Sequence, residues 1–184
     1  MKRLLRSCLV YAAPFAAPLA YTGLGLLLVM NRMVDRQSEE WPRWVLLMGL
    51  GGVVGNFIFS LTDHAQNGFY HKTEWIPVWS SAIAVGFLVT IYITPVTRRF
   101  LALCAIVLAI QVAVGLLGFA LHTRANLRGR SPDTFDNFVF GAPSLAPMLF
   151  PILALLCGFG LWVLRDHVPG REPVAPASST SSSP

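Results

Sequence analysis

Asp63, His64, His71, Glu74, His122, Asp133 and Asp136 are the side chains in this 184-residue chain with the widest chemical reach. Imidazole and carboxylate together suit zinc, iron or manganese. Asp63, His64, His71, Glu74, His122 and Asp136 therefore form a candidate set of metal ligands drawn from several segments. Neither HExxH nor ExxH occurs, so the fold, not a single helix, would have to assemble such a centre. A second chemistry needs only two of these residues. His64 and His122 could be the axial ligands of one b-type haem, with Gly115 and Gly118 leaving room for a flat macrocycle. The three cysteines, Cys8, Cys104 and Cys157, are far apart and match neither a disulfide framework nor a zinc-finger spacing.

The elements that must position these groups are apolar. Hydrophobic residues make up 54% of the chain and charged residues 12%. Mean hydropathy is +0.59. A soluble domain carries about 25% charge, so the composition points to a polytopic membrane protein. Five apolar runs are expected to form an all-α bundle of five transmembrane helices within residues 1–167, at about 7–30, 44–67, 76–95, 100–122 and 146–164. Each is close to the roughly 20 residues that cross a hydrocarbon core of about 30 Å. The first run follows Lys2, Arg3 and Arg6, as a signal peptide would, but it outlasts the roughly 7–15 apolar residues of a signal core. Trp41, Trp44, Trp75, Trp79 and Trp162 all fall near run ends, where amphipathic rings settle at the bilayer interface.

Gly68 is expected to cap the second run and Pro95 to stop the third. Arg98 and Arg99 mark a tight turn that makes runs three and four an antiparallel hairpin. The Ser- and Pro-rich stretch 168–184 is expected to be a disordered tail.

Five crossings would gather the unusual polar residues at one end. Along run two, Asn56, Ser60, Asp63 and Asn67 follow i, i+4, i+7, i+11, with His64 beside them. Along run four, Gln111, Gly115, Gly118, His122 and Asn126 keep a similar rhythm. Lipid disfavours both stripes, so they are expected to face each other or a third helix. The expected pocket comprises Asn56, Ser60, Asp63, His64, Asn67, Glu74, Gln111, His122 and Asn126. The competing reading is structural. Asn, Ser and Gln then bridge helices, Glu74 sits at the positive end of a helix dipole, and Asp136 caps a short interfacial helix.

The sequence also repeats a proline box. AAPFAAPLAY at Ala12 to Tyr21 matches GAPSLAPMLF at Gly141 to Phe150 at Pro14/Pro143 and Pro18/Pro147. Interior prolines free the carbonyl four residues earlier, which would give the polar pocket a wall of carbonyls.

Basic residues split seven against seven between the two sides, and the flank of the first run favours a cytoplasmic N-terminus in a cell (inner) membrane. The net charge of +5 is spread over termini and loops, which points to the lipid bilayer as partner and away from nucleic acid. A homo-oligomer or another membrane protein is the expected protein partner. Three function classes follow: a metal- or haem-binding redox protein or enzyme, a packing subunit using the glycine stripe, and a small-solute transporter.

Overall fold

The computed structural model describes residues 22–66 and 68–169. All regular structure among them is helical: α1 (22–33), α2 (Glu40–Gln66), α3 (Trp75–Ile93), α4 (Arg98–Leu127), the short α5 (Thr134–Phe140) and α6 (Leu149–His167). Single 3₁₀ turns at Lys72–Glu74 and Ala146–Met148 lead into α3 and α6. Four segments are long and apolar enough to cross a membrane: Glu40–Gln66, Lys72–Ile93, Arg98–Leu127 and Ala146–His167. Most of the first apolar run, the first proline box, Cys8 and Asn67 lie outside the described residues.

Local chemistry sets the helix ends. Gly68, at φ 74°, takes the left-handed conformation that ends α2, and its amide donates to Ala65 O. Thr97 caps α4, accepting from the Phe100 amide at 3.2 Å. Arg98 and Arg99 therefore open α4 instead of lying in the turn. Pro42 and Pro77 sit in the first turns of α2 and α3, where a missing amide hydrogen leaves no bond unmade. Asp133, and not Asp136, caps α5, accepting from the Phe135 amide at 2.8 Å. Asp136 lies in the first turn.

The four long helices close into a ring. α2 packs on α3 and α6, and α4 packs on α3 and α6, so α2 and α4 stand diagonally opposite. Leu46, Ala84, Leu88, Ile91, Cys157 and Leu164 are among the residues sealing the axis. Small residues set the close approaches. A side chain at Gly49 would strike Cys157, and one at Gly160 would meet Leu46 Cγ at 2.8 Å. Ile58, Ile106, Ile152 and Leu155 point outward, as lipid-facing side chains do.

The end formed by the start of α2 and the end of α6 is tied by long-range polar contacts. Tyr92 donates to Arg43 O, Arg98 Nε donates to Val168 O at 3.2 Å, and a His167 ring nitrogen lies 3.1 Å from Gln37 O. Val168, expected to begin the tail, is instead buried in the core at 7% exposure.

Candidate functional site

The other end carries the histidine-rich connections, as the pattern of crossings requires. Its polar residues do not converge on one point. They form two knots, one on α2 and α3 and one on α4 and α6.

In the first knot, α2 ends at His64 to Gln66, and the chain reverses through Gly68 and Phe69, both at positive φ. Phe69, at φ 48°, holds this strained conformation while its ring stacks on Trp75 with centroids 3.9 Å apart. Glu74 Oε1 accepts from the His71 amide at 3.2 Å, and the Glu74 amide donates to His71 O. This carboxylate reaching back to the first residue of the turn is half of a capping box. Its other oxygen, Oε2, is buried without a hydrogen bond, 3.7 Å from His64 Nδ1. Both side chains are mostly covered, at 16% and 19% exposure.

In the second knot, Asn126 is the hub, at 3% exposure. Its Nδ2 donates to Ala142 O at 2.7 Å and to Ser144 Oγ at 2.9 Å, and its Oδ1 accepts from the Ala142 amide at 2.9 Å. One turn earlier, His122 Nδ1 lies 3.1 Å from Pro143 O, a bond that requires the ring to carry its proton on Nδ1. Beyond it, Asn137 donates to Ser131 O and accepts from the Ser131 amide. The chain between α4 and α6 is thus stitched to α4 by carboxamides and one imidazole.

The glycine stripe of α4 belongs to the same packing. A side chain at Gly115 would meet Pro151, Pro147 O at 2.7 Å and Phe150 Cβ at 2.8 Å, and one at Gly118 would meet Pro147 Cβ at 2.9 Å. The second proline box is therefore the surface that α4 presses upon. Because Pro151 has no amide hydrogen, the Pro147 carbonyl is released from the helix ladder, and it lies against Gly115. Deeper in the bilayer, Gln111 of α4 donates to Ser80 O of α3 at 2.8 Å.

Of the two arrangements expected for the stripes of α2 and α4, facing each other or facing a third helix, the α4 stripe takes the second. The two stripes are on diagonal helices, and the α4 stripe meets α3 and α6. Asn56 is buried on α2 at 7% exposure. Ser60 and Asp63 are half-buried, and His71 is exposed. Among the described residues, no three His, Cys, Asp or Glu side chains gather to hold a metal ion. The set Asp63, His64, His71, Glu74, His122 and Asp136 is therefore split. His64 and Glu74 meet, His122 turns to Pro143 O, and Asp136 stands on α5. Of the two histidines expected as haem ligands, His64 Nδ1 faces Glu74 and His122 Nδ1 faces Pro143 O, each within its own knot.

Three features had no sequence reading of their own. The contacts Tyr92–Arg43, Arg98–Val168 and His167–Gln37 tie the opposite end. Ser144 serves as an acceptor for Asn126. Gly51 and Gly55 leave open space on α2, where an added Cβ would meet nothing within 4 Å among the described residues. For the last, the four-residue spacing of two glycines on an apolar helix was the available signal. Comparisons with protein-family models, curated proteins and solved structures found no match.

Proposed function

We propose that this chain is an integral membrane protein of five spanning helices that acts as a packing subunit, docking a transmembrane helix of a second copy on α2. In this reading run 7–30 is the fifth span, and Lys2, Arg3 and Arg6 keep the N-terminus on the cytoplasmic side of a cell membrane. The observation that carries the proposal is the open face at Gly51 and Gly55, one helical turn apart with no described residue against them. Helices in lipid associate by van der Waals contact and close backbone approach, which such a pair permits.

The disposition of the polar residues supports it. Gln111, His122, Asn126 and Asn137 bond to backbone groups of the same chain. Their chemistry is spent on holding the bundle together. The His64–Glu74 pair is what survives of the interfacial polar pocket.

The test is the oligomeric state of the full chain in mild detergent and in bilayers. Gly51→Leu with Gly55→Leu is expected to convert dimer to monomer without lowering the monomer's thermal stability. A wild-type monomer at all concentrations would overturn the proposal. So would loss of monomer stability in the double variant, which would mean that this chain's own first span covers the face.

A further inference from the structure

An open groove of about 430 Å³ lies between the end of α4 and α5. Its neutral polar walls are engaged within the chain. Asn126 bonds Ala142 and Ser144 with both of its N–H groups, and Asn137 bonds both backbone groups of Ser131. Gly129 and Gly141 let the walls close. A side chain at Gly129 would collide with the Asn137 carboxamide, and one at Gly141 would collide with Asn137 O. The groove is therefore a built concavity, held open by its own hydrogen bonds.

Two charged groups also line it, Arg130 and Asp136. They form no ion pair with each other or with any described residue. One cation and one anion lining a single concavity, neither in an ion pair among the described residues, match a ligand that carries both charges itself.

The height of the groove supplies the source of that ligand. α4 has 30 residues, about 45 Å at 1.5 Å per residue. That exceeds a hydrocarbon core of about 30 Å, so its last turns stand among lipid headgroups. Phe140 lines the groove, and with Phe135 and Val139 of α5 it is more than half exposed. Aromatic side chains at this level belong to the interfacial belt.

We propose that this groove binds the headgroup of phosphatidylethanolamine, with the phosphate against Arg130 and the ammonium against Asp136. A guanidinium holds a phosphate through paired N–H donors. A primary ammonium has N–H groups to give a carboxylate, which a choline headgroup lacks. An anionic lipid would satisfy Arg130 but set its charge against Asp136. The α5 aromatics cover the glycerol and upper acyl carbons.

The experiment is native mass spectrometry of the full chain released from vesicles holding equal palmitoyl-oleoyl phosphatidylethanolamine, phosphatidylglycerol and phosphatidylcholine. One phosphatidylethanolamine is expected to be retained at least about tenfold over the other two. Arg130→Gln and Asp136→Asn should each reduce retention by about tenfold, the loss of one charge-assisted bond. Arg128→Gln, outside the groove lining, should not change it. Asp136→Lys should shift retention to phosphatidylglycerol, a gain that misfolding cannot mimic. Equal retention of the three lipids, or insensitivity to Arg130 and Asp136 variants, would overturn the proposal. Displacement by glycerophosphoethanolamine at concentrations matching the lipid would overturn the lipid assignment and point to a free headgroup ligand.

Discussion

Asn126 and Ala142 exchange two hydrogen bonds, Nδ2 to the carbonyl and amide to Oδ1, so that a carboxamide stands in for a backbone unit. The pairing fixes the chain entering α6 against the end of α4. It places the second proline box where Gly115 and Gly118 can receive it.

Asn126→Asp keeps the size of the side chain and removes its donors. The Ala142 carbonyl would then face a carboxylate without a donor, while the Ser144 hydroxyl could turn to donate. The expected cost is about 1–3 kcal/mol, the penalty for buried groups left unsatisfied. Thermal unfolding in detergent should show the loss, and limited proteolysis should show new cleavage between α4 and α6.

Gly115→Val tests the α4–α6 seam. The new methyl groups would meet Pro151, the Pro147 carbonyl and Phe150, none of which is the end of a flexible chain. Overpacking of this kind costs about 1–3 kcal/mol. Gly86→Val, on a face with nothing within 4 Å among the described residues, should be nearly neutral in the same unfolding assay. Equal effects at both positions would contradict the packing described for α4 and α6.

Gly51→Leu with Gly55→Leu should abolish self-association while leaving unfolding of the monomer unchanged, since a Cβ at either position meets no atom of the described residues within 4 Å. Dilution of fluorescently labelled protein in bilayers, read by energy transfer, would measure it. The single variants should each shift the dissociation constant, because both glycines line one contact.

His64 and Glu74 should be energetically coupled. A double-mutant cycle with His64→Ala and Glu74→Gln is expected to give an interaction on the order of 1 kcal/mol, as for partly covered polar pairs. Glu74→Ala should cost more than Glu74→Gln. The amide oxygen of Gln can still accept from the His71 amide, while Ala loses the cap altogether.

Much of the fold could be read from the chain alone, because each span announces itself by length and hydropathy. Gly68 as a cap, Glu74 at a helix start and the hairpin of α3 and α4 follow from local chemistry, which needs no knowledge of neighbours. The choice of neighbour is not legible in the same way. A helical stripe gives a direction around one axis and does not say which helix lies there. The stripes of α2 and α4 leave open whether they meet each other or a third helix, and ring closure puts α3 and α6 between them. Gly115 and Gly118 read correctly as points of close approach, but their occupant was the chain's own Pro147 and Pro151. His122 read as a ligand because imidazole is versatile, and only its distance to Pro143 O reveals a bracing bond. The first proline box at Ala12 to Tyr21 falls outside the described residues, so its relation to the second stands as a sequence pattern.

The place of α6 between α2 and α4 has a consequence for assembly. α6 is the keystone of the arch. Until it arrives, the surfaces at Gly49, Gly52 and Gly115 have nothing to receive, because Cys157, Leu153 and Pro151 all come from that helix. A nascent chain paused before residue 149 would hold α2, α3 and α4 around the empty place of α6, with those glycine surfaces turned to lipid.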